Sequence, residues 1–100
     1  MYVRATSWPN LDPEAIQNIQ TDTLPRLREL PGFEGAMLLY ERDTGEAQSL
    51  VFWRDTEFMQ AASSVGELER SRLHDLGLVK GEPSDKVYEV ALSHWATRLG

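Results

Sequence analysis

Arg72, His74, His94 and Ser7 carry most of the chemical capacity first apparent in this chain, and Trp53, Phe58 and Tyr88 are large enough to line a cavity around a planar ligand. Arg72 belongs to the series Val65, Leu68, Arg72, Leu76, spaced 3, 4 and 4 residues apart, which predicts a shared helical face. A guanidinium within such a stripe has two readings. It is a snorkelling stem at the core's edge, paired with Glu69 one turn earlier, or it is aimed into a cavity to hold a carboxylate or phenolate. A charge on a largely apolar face is costly unless paired, so Glu69 is the expected resting partner in both readings.

Histidine is the natural general base near neutral pH. His74, like Arg70, is expected to point away from the stripe, and His94 stands beside Trp95 near a strand end, where a structural or subunit contact is the simpler role. Two isolated histidines without a spaced third ligand predict no metal site. Ser7 has no Ser-His-Asp partner set, so its expected role is a hydrogen bond into the pocket.

These residues need elements to place them. "YVRATSW" (2–8) alternates as a strand, with Val3, Ala5 and Ser7 on one face and Tyr2, Arg4, Thr6 and Trp8 on the other. Asp12 followed by Pro13 predicts a helix start, with Leu11 and Ile16 as a hydrophobic staple. Pro25 predicts a kink or break near Thr21 to Leu24. Pro31 disfavours helix at Leu30 and Gly32 can take the positive φ that turns the chain out, leaving Phe33 to cover the core's end.

"GAMLLYER", the turn "DTGE" (43–46) and "AQSLVFWR" predict a hairpin. A second helical region follows, capped by Asp55 and, as a capping box, by Ser64 with Glu67, so it reads as a short helix and a longer one ending at Gly77. "KVYEVALSHW" reads as the last strand, and "ATRLG" has no anchor. The order β-α-β-β-α-β predicts an α+β, ferredoxin-like domain over residues 1–100: a four-stranded antiparallel sheet with both helices on one face. "MLLY", "LVF" and "VYEVAL" carry bulk on both sheet faces, so the uncovered face needs a cover, most simply a second copy of the chain.

Composition narrows the partners. Of 100 residues 41% are hydrophobic and 26% charged, the net charge is −6, and there is no cysteine. Basic residues are scattered singly, which argues against nucleic acid. Without cysteine there are no disulfides, thiolate catalysis, Cys-ligated zinc or iron–sulfur clusters. "MYVRATSW" lacks the apolar core of a signal peptide and no run suits a membrane span, so the expectation is a cytoplasmic protein.

"MYVRA" as opening strand, "LPRLRELPGFEG" closing the first helix, "DTGEAQSLVFWRD" as a hairpin into a Trp-ended strand and "VYEVA" as last strand together resemble the antibiotic-biosynthesis-monooxygenase-like group of dimeric α+β barrel proteins. The resemblance implies a homodimer whose sheets close into a barrel, and in each subunit a cavity between the helices and the sheet face outside that barrel. The group includes cofactor-independent oxygenases of aromatic polyketides, haem-degrading enzymes and proteins without an established substrate, so fold alone does not choose a function.

The haem-degrading branch relies on an Asn on the first strand and a Trp and a His on the second helical region. Ungapped counting places Ser7, Ala62 and Arg72 there, and His74 lies about 200° further round the helix. Haem degradation is therefore not expected. The leading expectation is a monooxygenase without cofactor acting on a phenol- or quinol-like aromatic, with Arg72 stabilising the anion, Ser7 orienting it, and Trp53, Phe58 and Tyr88 lining the site. The alternatives are a non-catalytic module that binds a small ligand, and a non-oxidative isomerase or cyclase.

Overall fold

In the computed structural model, which describes residues 1–96, strand β1 (Tyr2–Trp8) and a short β2 (Asn10–Leu11) lead into a first helical passage. That passage is α1 (Glu14–Asn18), a π-helical turn (Ile19–Thr23) and α2 (Leu24–Arg28). The hairpin β3 (Phe33–Tyr40) and β4 (Ala47–Trp53) follows, then α3 (Thr56–Ala61), α4 (Ser63–Asp75), β5 (Val79–Lys80) and β6 (Ser84–Glu89). The main sheet is antiparallel in the order β3-β4-β1-β6, and β2 pairs with β5 in a small second sheet that the sequence does not announce. This is the ferredoxin-like α+β arrangement.

Local chemistry explains the joints. Asp12 Oδ1 accepts the Glu14 N–H at 2.9 Å, beginning the helix as its neighbour Pro13 suggests. Pro25 has no N–H to give, and the chain passes through the π turn just before it, which is the break expected near Thr21 to Leu24. Asp55 caps α3 by accepting the Phe58 N–H at 3.1 Å. At the helix-to-strand switch Gly32 sits at φ +79°, and its carbonyl accepts the Arg54 N–H at 2.8 Å. Phe33 then packs edge-on against Trp53, ring centres 5.9 Å apart, forming the expected plug.

Three expectations are corrected. The buried side of the second helical region is Met59, Ala62, Glu69 and Leu73, while Leu68 and Leu76 are 68% and 55% exposed. The stripe through Val65, Leu68, Arg72 and Leu76 is therefore not the inward face. A carboxylate satisfied by neighbours holds an inner position and leucines hold outer ones, which inverts the hydropathy pattern. Ser64 does not cap the long helix; α4 begins at Ser63 with no side-chain cap. The last strand begins earlier than expected and ends at Glu89, opposite Tyr2, because its ladder partner β1 begins there. Beyond it Leu92 is 88% exposed. Residues 97–100, within the stretch lacking an anchor, lie outside the described residues.

The faces of the sheet follow from register. Arg4 stands between Val51 and Val87, and Thr6 between Ser49 and Asp85, on the face beneath the helices. Val3, flanked by Phe52 and Tyr88, lies on the other face with Ala5 and Leu39. Under the helices the core falls into two clusters. One gathers Trp8, Leu11, Ala15, Ala47, Leu73 and Val79. The second gathers Trp53, Met59 and Ala62, with Leu27, Leu30 and Phe33 against them.

Two glycines should respond oppositely to alanine. A Cβ at Gly32 would stand 2.3 Å from the Phe58 ring in an already left-handed backbone. Gly32→Ala is expected to lower unfolding free energy by about 2–4 kcal/mol, from overpacking added to backbone strain. Gly66, inside α4 with nothing within 4 Å of a built Cβ, should gain roughly 0.5–1 kcal/mol as alanine. Urea denaturation measures both.

Candidate functional site

Between the two core clusters the helices stand away from the sheet and leave a cavity of about 440 Å³. Its floor is the inward face of the sheet, with Arg4, Thr6 and Trp8 from β1, Ser49, Val51 and Trp53 from β4, Leu38 from β3 and Asp85 from β6. Its roof comes from Ile16, Ile19, Thr23 and Leu27 of the first helical passage and from Ala62, Gly66, Glu69, Arg70 and Leu73. The walls are mainly apolar, and the polar groups fall into three sets.

The first surrounds Asp85. Its Oδ1 accepts from Thr6 Oγ1 at 2.8 Å and Arg70 Nη2 at 2.6 Å, and its Oδ2 lies 3.5 Å from Arg4 Nη1. The Arg70 guanidinium also lies 5.8 Å from the centre of the Trp8 ring, within cation–π reach. The second surrounds Glu69, whose residue is 5% exposed. Its carboxylate accepts from Thr23 Oγ1 at 2.7 Å, from Arg72 Nη2 at 3.0 Å and from Arg26, and Arg72 Nη2 also donates to Thr23 at 3.0 Å. Burial pushes the Glu69 carboxyl up, but the bonds from Thr23, Arg72 and Arg26 and the charge of Arg72 outweigh it and hold the group below its ordinary value. The third is Trp8 Nε1 donating to Ser49 Oγ at 3.1 Å.

Of the five predicted site residues, this cavity gathers Trp53 alone. Ser7 is exposed on the opposite sheet face, where it borders a separate groove. Phe58 packs beneath Gly32, with the Arg54 guanidinium 4.7 Å from its ring centre. Tyr88 also lies on the opposite face, with Lys86 Nζ 5.3 Å from its ring. Arg72 is paired with Glu69 as the resting reading expects, but it is turned toward Thr23 and Asp22 outside the lining. His74 is exposed, 3.9 Å from Asp75, and His94 is exposed beyond β6. Ala62 lines the cavity.

The residues that reasoning from sequence missed are Arg4, Thr6, Trp8, Ser49, Arg70 and Asp85. The alternation of β1 already groups Arg4, Thr6 and Trp8 on one face; only knowledge of which face the helices cover was lacking. Arg70, expected to point away, points in because the helix is rotated from the apparent stripe. Among the described residues no group of three or more His, Cys, Asp or Glu side chains could hold a metal ion, and no helix is long and apolar enough to cross a membrane.

The antiparallel sheet roofed on one side around an apolar cavity is the fold of antibiotic-biosynthesis-monooxygenase-type proteins, as the solved structures that match it have it. No protein-family model and no curated protein matches the sequence. Solved structures do match. A monooxygenase from the gene ActVA-Orf6 of Streptomyces coelicolor, in complex with Nanaomycin D, superposes with TM-score 0.76 at 18% identity over 96% of this chain and 92% of that one. A variant of SnoaB, a cofactor-independent oxygenase from Streptomyces nogalater, gives 0.69 at 16% identity over 92% and 95%. The haem-degrader MhuD from Mycobacterium tuberculosis, with two haems bound, gives 0.61 at 20% identity over 93% and 99%.

Glu69 makes stability depend on pH. Folding lowers its pKa, so above the unfolded value of 4.5 the ionised carboxylate stabilises the native state. That contribution shrinks as pH falls below 4.5 and is lost once pH passes below the depressed native value. Glu69→Gln is expected to cost about 1.5–3 kcal/mol at neutral pH, the range for hydrogen bonds to a charged group. The gap to the unmodified protein should close on acidification, as followed by denaturation at a series of pH values.

Proposed function

We propose that this protein is a homodimeric, cofactor-independent monooxygenase of a small phenol- or quinol-like aromatic. The observation that carries the reading is the cavity. At about 440 Å³ it falls within the roughly 300–1,000 Å³ of small-molecule sites. Its mainly apolar lining includes two indole rings, interrupted by a few hydroxyls and the charged groups around Asp85 and Glu69. Its fold is shared with an oxygenase that works without cofactor and with a monooxygenase solved around Nanaomycin D, which favours an aromatic occupant.

The chemistry balances without a cofactor. A phenol with a free para position reacts with dioxygen to give a para-quinone and one water; the ring supplies every electron, one oxygen atom forms the new carbonyl, and the other leaves with the two hydrogens lost. The protein's part is to bind, desolvate and orient the substrate anion. Apolar walls such as Ile19, Leu38, Val51 and Leu73 exclude water. Ser49 Oγ, already accepting from Trp8, keeps its own O–H for a substrate oxygen. Haem is not the proposed substrate, because neither His74 nor His94 lines the cavity to meet its iron.

A binding module that does not turn over its ligand is the second reading. One observation favours it: Glu69 and Asp85 are both engaged in ion pairs, and neither His74 nor His94 lines the cavity. Oxygen-electrode assays with 1-naphthol, whose para position is free, and anthrone separate the two. Protein-dependent oxygen uptake is expected, and with anthrone one atom of labelled dioxygen should appear in the product carbonyl. Uptake no faster than in protein-free controls would leave the binding module.

The second copy is proposed from the face opposite the helices, where Tyr88 is exposed beside Val3 and Phe52, and Leu39 is exposed further along the same face. Light scattering is expected to give a particle of two chains, and Leu39→Lys to reduce it to one by placing a charge on that face. A single chain for the unmodified protein at micromolar concentration would remove the dimer from the proposal.

A further inference from the structure

Two guanidinium groups meet one carboxylate where β1, β6 and α4 converge on the cavity. Asp85 Oδ1 is well used by Thr6 and Arg70, at 2.8 and 2.6 Å. Arg4 is not: its contacts with Asp85 Oδ2 and Ser63 Oγ are both 3.5 Å, at the outer limit of hydrogen bonding. The Arg70 Nε–H is buried with no partner among the described residues. A guanidinium carries five N–H donors, so both arginines retain donors without acceptors, and the trio holds one surplus positive charge.

No other acid on the cavity wall pairs with Arg4 or Arg70 among the described residues. Glu69 is matched by Arg26 and Arg72. Glu67 reaches the cavity from an exposed position and makes no ion pair with Arg4 or Arg70 among the described residues. Water reaches both guanidiniums, whose side chains are 30% and 34% exposed, but the Arg70 Nε–H is buried, and a buried donor is unfavourable until an acceptor meets it. The Trp8 indole stands beside Arg70, and Trp53 lies further along the same floor.

We propose that Arg4 and Arg70 form an anion subsite that takes the carboxylate of an aromatic acid, whose ring lies in the apolar part of the cavity beside Trp8 and Trp53. The proposal rests on the reading of the cavity as a ligand site and adds the ligand's charge. Arginine suits the task because its planar fork meets a carboxylate through two N–H groups at once. Asp85 then has two effects. Pinned by Thr6, it aims the guanidiniums, and it also competes with the ligand for them.

The test is quenching of tryptophan fluorescence in the full chain by 2-naphthoate and by its neutral counterpart 2-naphthamide. The unmodified protein is expected to bind naphthoate roughly tenfold or more tightly than the amide, the scale of one charged hydrogen bond. Arg4→Met and Arg70→Met should each remove most of that preference while leaving amide binding intact, which also certifies their folding. Asp85→Asn should tighten naphthoate binding several-fold, a gain that a damaged fold cannot produce. Equal affinity for the two probes overturns the anion subsite and leaves the cavity reading standing, as does a naphthoate preference that survives both arginine replacements. Binding of neither probe overturns both.

Discussion

Helix α4 packs on the main sheet through Leu73, against Trp8 and Ala47, and two carboxylates tie it down on either side of the cavity. Toward the sheet, Arg70 reaches down to Asp85 on the edge strand; toward the first helical passage, Glu69 meets Thr23 and Arg26. Small residues, Ala62 and Gly66, face the space between these struts. Ion pairs whose partners reach water, as Arg26, Arg70 and Asp85 do, are poor sources of net stability, since solvent screens their attraction. Their value here is positional, because they hold two layers at a separation that apolar side chains alone would collapse.

The π turn belongs to the same constraint. A π turn fits an extra residue into one helical turn and so changes the direction of everything after it. Thr23, the last residue of the turn, is buried and donates to Glu69. Pro25 follows at once and prevents the earlier turn from closing as ordinary α-helix. A proline on one helix thereby helps to aim a hydroxyl at a carboxylate on another.

The parts of this structure that could be read from the chain are those governed by neighbouring residues. Pro31 and Gly32 restrict only their own backbone, Asp55 caps the helix it precedes, and the hairpin turn lies between its own strands; each is where the sequence places it. The parts that could not be read depend on residues far apart. Glu69 sits inward only because Thr23, 46 positions away, and the two arginines satisfy it. Hydropathy counts that glutamate as outside and Leu68 as inside, which rotated the helix in the reading and exchanged Arg70 for Arg72. Asp85 was hidden for the same reason, since its partners Thr6 and Arg4 belong to the first strand.

The division of the core has a practical consequence. Trp8 and Leu73 belong to one cluster and Trp53, Met59 and Ala62 to the other, yet all five border the same cavity. An occupant that touches both clusters joins them, and binding to the folded state alone adds about 2.7 kcal/mol of stability at a hundred times its Kd. The melting temperature thereby becomes a gauge of occupancy. A library of small acids and phenols could be sorted by the heat each lets the protein withstand, before any reaction is assayed.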